Sequence, residues 1–225
     1  MNRFFVVLAV LAVVLGLLVF VLLRDGGGGG ASLAAAGPPP TATDDGFRGY
    51  TMGDSAAKVE ITEYSDFECP YCARFATIQM PTIREQLITT GKVRWRYRDF
   101  PIPGHQYGRF AAHAAQCAGE QGKFWEMHDQ LFYNHSWAQT GRDPSKLFRT
   151  FATTAGLDLT RYDECMKSGR YAARIEFSRQ EGLGVLVDGT PTFYINGKKF
   201  TGPSGTSDAF KAIADSIIAS APRRR

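Results

Sequence analysis

Residues Phe4 to Leu23 form a run of 20 side chains without a polar or charged group, and Gly26 to Gly30 follow as unbroken glycine. A soluble helix needs a wet face, and this run offers none. As a helix rising about 1.5 Å per residue it spans roughly 30 Å, the hydrocarbon thickness of a bilayer. A secretory leader usually has an apolar core of only about 7–15 residues. Residues 1–25 are therefore read as an uncleaved transmembrane anchor, with a signal peptide cleaved near Ala34, Ala35 and Ala36 as the alternative. The amino terminus and Arg3 are positive while Arg24 and Asp25 cancel, so the positive side stays in the cytoplasm. Both readings export the rest of the chain.

What can fold starts later. Residues 26–52 read as a flexible tether: glycines, then Ala and Ser, then Pro38, Pro39 and Pro40, too poor in apolar residues to bury a core. A domain is expected over 53–220, with a basic tail at 221–225. The net charge of +4 belongs to the ends, because residues 37–222 hold 21 Lys+Arg against 21 Asp+Glu. A nucleic-acid groove built on bulk basicity is disfavoured. At 44% hydrophobic residues the chain is too apolar to be disordered.

Within the domain, Lys58–Tyr64 is β-branched and aromatic and predicts a strand. A helix is expected from Cys69 to about Thr89, with Pro70 at its first position, Cys69 as N-cap and a kink at Pro81. Val93–Arg98 alternates, placing Val93, Trp95 and Tyr97 inward and the arginines on a solvated face. Residues 105–183 read as several helices broken at Gly122, Gly141, Gly156 and Gly169, with Phe124, Trp125, Phe132 and Trp137 in their core. Thr192–Ile195, the turn Asn196-Gly197 and Lys198–Thr201 read as a hairpin. Ser207–Ala219 is a last helix with Phe210, Ile213 and Ile217 on one face.

Four cysteines in an exported chain suggest disulfides. In Cys69-Pro70-Tyr71-Cys72, a thiolate at a helix N-cap meets unpaired backbone N–H groups and the positive end of the macrodipole. That lowers its pKa, to about 3.5–7.5 in Cys-X-X-Cys sites. Cys69 would be the nucleophile and leaving group, and Cys72, one turn in, would resolve the mixed disulfide. A zinc site needs a second closely spaced pair, and Cys117 and Cys165 are 48 apart. Haem attachment needs His where Ala73 stands. A purely structural disulfide at the helix start is the remaining alternative. The histidines His105, His113, His128 and His135 show no ligand spacing, so no metal or cofactor is expected. His105 follows the second strand and borders the active-site region without an assigned role.

The stretch Glu63-Tyr64-Ser65-Asp66-Phe67-Glu68-Cys69-Pro70-Tyr71-Cys72 resembles the active-site segment of DsbA-like thiol:disulfide oxidoreductases of the thioredoxin superfamily. Thr190-Pro191-Thr192-Phe193 with Asn196-Gly197 resembles that family's cis-proline loop and hairpin. Gln121-Gly122-Lys123-Phe124-Trp125-Glu126-Met127-His128 resembles the helical insertion of its membrane-tethered branch. The resemblance implies an α/β chain with a thioredoxin fold, its helical insertion of about 105–183 lying between the βαβ half and the C-terminal ββα half. It implies that Pro191 is cis and faces Cys69 and Cys72, leaving the backbone at Thr190 free to pair with an extended substrate. Glu63 falls where relatives carry a buried acid, a proton acceptor for the reacting thiols; the plainer reading is a partly exposed strand residue. Cys117 and Cys165 are read as a structural disulfide clamping two helices, with a second redox pair as the alternative.

The expected function is a bacterial cell-membrane, single-pass, extracytoplasmic thiol:disulfide oxidoreductase that oxidises exported proteins. The family implies a quinone-linked membrane partner of the DsbB or vitamin K epoxide reductase type. An isomerase or reductase could use the same site, and a non-catalytic thioredoxin-like binding module is a third reading. Dimeric isomerases carry an N-terminal dimerisation domain where residues 1–47 here are anchor and tether. The anchor's single glycine, Gly16, gives no Gly-x-x-x-Gly face, so a monomer is expected.

Overall fold

Two strands of alternating pattern organise the chain. Val59–Ser65 (β2) and Val93–Asp99 (β3) pair in parallel, from Val59 opposite Val93 to Ser65 opposite Asp99. Their inward set, Val59, Ile61, Glu63, Val93, Trp95 and Tyr97, is buried. The computed structural model describes residues 41–201 and 206–220. The apolar run 4–23, tether residues 26–40 and the tail 221–225 lie outside the described residues. Among the described residues no helix is long and apolar enough to cross a membrane.

Parallel strands need a long crossover. Here it is Pro70–Ile78 (α1), the single turn Met80–Ile83 (α2) and a π-helical turn at Arg84–Ile88. Pro81 has no N–H for the helix ladder, so the expected helix of 69–89 bends at Gln79 and Pro81 opens a new turn. Thr192–Ile195 (β4) returns antiparallel to β2, and Lys198–Lys199 (β5) follows after Asn196-Gly197, whose φ values of 47° and 79° suit a tight hairpin. Ser207–Ser220 (α8) lays Phe210 against Phe75, Trp95 and Phe193. These rings and Val59, Ile61, Ile83 and Leu87 make one core of the sheet.

Tyr50–Met52 (β1) adds the edge, giving the order β1-β3-β2-β4-β5. This corrects the tether boundary at 52. Tyr50 stacks on Phe124 with centroids 3.8 Å apart, and Thr51 accepts a hydrogen bond from Trp125. Three residues between Gly49 and Gly53 are too few for a periodic signal; only their partners declare them a strand. A second correction concerns the arginines of β3. Arg94 and Arg96 pair with Glu60 at the surface, but Arg98 is buried, donating to the Phe47 carbonyl and to Glu181. The incoming chain before β1 and the last helix of the insertion, which carries Glu181, cover the face it occupies.

The insertion comprises Gly108–Gly119 (α3), Phe124–Tyr133 (α4), a 3₁₀ turn at His135–Gln139, Ser145–Thr154 (α5), Leu159–Ser168 (α6) and Ala172–Gly184 (α7). Gly122, Gly141, Gly156 and Gly169 stand at its breaks with φ of 61–75°, a conformation that favours residues without Cβ. Asp158 caps α6, accepting from Thr160 and Arg161 N–H groups. Phe124, Phe132, Trp137 and Phe148 fill its core, while Trp125 is only partly buried.

Cys117 on α3 and Cys165 on α6 are bonded, with both residues fully buried and Cα atoms 5.7 Å apart. The bond closes a loop of sequence separation 48. In the chain-entropy relation, losing such a crosslink costs about 4 kcal/mol. Replacing both cysteines by serine should therefore lower the thermal midpoint by roughly 10 °C. Differential scanning calorimetry checks this, and an unchanged midpoint would remove the clamp.

Candidate active site

The site is built where β2 hands over to α1. After Ser65 the chain turns through Asp66 to Cys69, whose N–H donates to the Asp66 carbonyl at 3.0 Å. Cys69 is extended at the N-cap, φ −73° and ψ 122°, and Pro70 begins the helix where no donor is needed. Cys69 retains 5% exposure and Cys72, one turn deeper, none. β4 pairs Thr192 with Tyr64, which sets the preceding loop against the cysteines. The Thr190–Pro191 bond in that loop is cis, and the Cys69 thiol donates to the Thr190 carbonyl at 3.3 Å.

The two sulfurs differ strongly. The Cys72 thiol, donating to Cys69, lowers the Cys69 pKa to about 6; the Thr190 side chain and the Cys72 and Tyr71 N–H groups add to this against the cost of burial. The helix start thus contributes, but the second cysteine contributes more. Burial pushes Cys72 well above the ordinary thiol range, and the neighbouring Cys69 charge adds to the shift. One sulfur ionises near neutrality while the other keeps its proton.

Glu63 is 1% exposed, which excludes a partly exposed strand residue. Burial raises its pKa to about 7, opposed by the Trp95 indole N–H, which donates to it at 3.1 Å. The charge of Cys69 also acts on Glu63. Cys69, Cys72, Thr190 and Pro191 thus meet at one mouth, with Glu63 beneath in the sheet. Cys117 and Cys165 sit elsewhere, in the insertion. His113 Nε2 lies 3.6 Å from the Cys117 sulfur, and both sulfurs there are engaged in the bond. A groove of about 580 Å³ leads from the mouth, lined by Tyr71, Arg74, Ile78, Thr190, Pro191 and Phe200. Tyr71 is 71% and Ile78 57% exposed, so it offers an apolar wall to solvent.

Three groups escaped sequence reasoning. Asp66 is buried and bonded to His105; Glu68 accepts the N–H groups of Gln106 and Tyr107; His135 bonds the Phe67 carbonyl. The two acids just before Cys69 were the available signal, but their partners within residues 102–107 lie 36 or more residues away.

The family profile described as Thioredoxin matches residues 47–215. The chain belongs to the thioredoxin family. Its fold is that of the DsbA-like members. BdbD from Bacillus subtilis superposes with a TM-score of 0.68 at 21% identity, covering 76% of this chain and 92% of that one. Alpha-DsbA1 from Wolbachia pipientis gives 0.65 at 23%, covering 75% and 90%. The reduced disulfide bond oxidoreductase DsbG from Mycobacterium tuberculosis gives 0.62 at 27%, covering 76% and 88%. The Cys69 and Cys72 pair has the arrangement that thiol–disulfide exchange uses. Among curated relatives, 181 residues are 39% identical to a protein of Salinispora tropica named Na(+)/H(+) antiporter NhaA 3, covering 80% of this chain and 26% of that protein. The chain spans about a quarter of the length of such relatives, and antiport is said of them.

Glu63 also makes stability depend on pH. Its folded pKa of about 7 exceeds the ordinary 4.5, so the folded state holds a proton that the unfolded state has lost between those values. Stability therefore falls as pH rises through that window, by up to about 3 kcal/mol. Glu63→Gln should remove this loss, so that wild type and variant diverge from about pH 4.5 to pH 7 in favour of the variant. Denaturant titrations of the Cys69–Cys72 disulfide form, where these cysteines do not titrate, measure it; parallel curves would contradict it.

Proposed function

We propose that this chain forms disulfides in exported proteins, working as an extracytoplasmic thiol:disulfide oxidoreductase held to the membrane by Phe4–Leu23. The observation that carries the reading is the contrast between an ionising Cys69 and a buried, protonated Cys72 beside Thr190-Pro191. A substrate thiolate attacks the Cys69 sulfur of the Cys69–Cys72 disulfide, and Cys72 departs and takes up a proton. A second substrate thiolate then attacks the first substrate's sulfur, and Cys69 departs as thiolate. Two electrons pass from two substrate thiols to the pair, and the substrate gains one disulfide. A stabilised Cys69 thiolate makes the reduced site the favoured product, so the pair is an oxidant.

Glu63 serves the return step. When a partner disulfide has bonded to Cys69, Cys72 must lose its proton to attack the Cys69 sulfur. A buried carboxylate whose pKa is near 7 is suited to accept it. The partner is a quinone-linked membrane protein of the DsbB or vitamin K epoxide reductase type, and tether residues 26–40 let the domain reach it. The exposed Tyr71, Ile78 and neighbouring groove residues support an extended, reduced polypeptide as substrate, paired to the backbone at Thr190. The apolar run with its positive flank at Arg3 supports the location.

Two measurements test the proposal. In Cys72→Ala, mixed disulfides should accumulate between Cys69 and exported proteins; their complete absence overturns catalysis. Equilibration with glutathione sets direction. A potential near about −120 mV marks an oxidase, and one near about −270 mV a reductase.

A further inference from the structure

The turn that delivers Cys69 is tied down by charged and polar groups from two other segments. The Asp66 side chain is fully buried. Its Oδ1 accepts the Glu68 N–H at 2.9 Å, and its Oδ2 accepts the Ile102 N–H at 2.8 Å. The same Oδ2 lies 2.6 Å from His105 Nδ1. Behind it stands Gly108, where a Cβ would come within 2.6 Å of Oδ1, so a residue without a side chain is what leaves the carboxylate this place. A buried carboxylate is costly without a cation or several donors. Here His105, 28% exposed, is the group in contact that can become a cation.

We propose that His105 is a positioning residue for Cys69: as an imidazolium bound to Asp66 it holds the Asp66–Cys69 turn and sets its positive charge where the Cys69 thiolate forms. The inference rests on the exchange reading above, in which Cys69 acts as thiolate. The link is short, since the carbonyl of the same Asp66 accepts the Cys69 N–H at 3.0 Å. The other titratable groups facing His105 are Glu68 and Cys69 on the turn and His135 on the 3₁₀ turn. Asp66, then Glu68 and Cys69, raise the proton affinity of His105 against some loss from burial. Burial lowers that of His135, which bonds the Phe67 carbonyl at 3.0 Å. Two histidines thus grip one turn with proton affinities moved in opposite directions.

A charge that favours the thiolate is favoured by it to the same degree. The His105 pKa should therefore be higher in the reduced protein than in the Cys69–Cys72 disulfide form, which lacks the thiolate. Proton NMR titration of the wild-type ring in both states reads this directly. In His105→Gln, neutral but still able to donate to Asp66, the Cys69 titration followed by ultraviolet thiolate absorbance should move up by roughly half a unit or more. The glutathione equilibrium should shift roughly threefold or more toward the oxidised protein. A merely structural role would lower stability and move neither titration. Equal His105 pKa values in the two redox states would overturn the proposal, as would an unmoved Cys69 titration in a folded His105→Gln. If Cys72→Ala with His105 intact forms no Cys69 adducts with exported proteins, the exchange reading fails independently. If adducts form and both shifts are absent, only the role of His105 fails.

Discussion

The structure turns on two sulfurs one helical turn apart being held in different electrical environments. Cys69 sits at the mouth, where donors converge on it; Cys72 sits beneath, where burial and the neighbouring Cys69 disfavour a charge. Thiol–disulfide exchange needs this inequality, because one sulfur must leave easily and the other must wait with its proton. The inequality in turn depends on sheet order. β2 carries the chain into α1, and β4, paired to β2 on the side away from β3, places Thr190 against the Cys69 sulfur. Glu63 lies on the inward face of β2, between Tyr97 of β3 and Phe193 of β4 in register, which is why it is buried and raised.

The helical insertion is part of the same construction. Its core is continuous with the active site, joining Phe67, Cys69 and Cys72 to Phe124, Phe132, Trp137 and the Cys117–Cys165 bond. Phe67 rests on Phe132 and Tyr97 with ring centroids 4.9 and 5.2 Å apart. Loop 100–107 and the 3₁₀ turn both bond the segment that presents Cys69. A disulfide remote from the chemistry therefore steadies a unit that includes the chemistry, by limiting how far α3 and α6 can part.

Much of this was legible in residue order. The strands β2 and β3 announced themselves by alternation, the insertion by its glycine breaks, and α8 by Phe210, Ile213 and Ile217 on one face. The hairpin was carried by Asn196-Gly197. The cysteine motif and the segment around Pro191 could be named as partners through their resemblance to a family. Elements that lack local pattern were missed. β1 has three residues and exists because β3 offers an edge and Phe124 a stacking surface. Arg98 looks like its exposed neighbours Arg94 and Arg96 until the chain before β1 covers it.

By itself the sequence determined which stretches could be strand, helix or turn, since those follow from side-chain period and backbone restriction within a few residues. It also determined that two of four cysteines stood at a helix start, where a thiolate is favoured. Only the tertiary structure decided what each ionisable group would do. The proton affinities of Glu63, His105 and Cys72 are shifted by burial and by partners, most of them distant along the chain, and desolvation and Coulomb interaction act through space. Spacing in sequence carries no record of those distances until the sheet and the insertion have closed around the site.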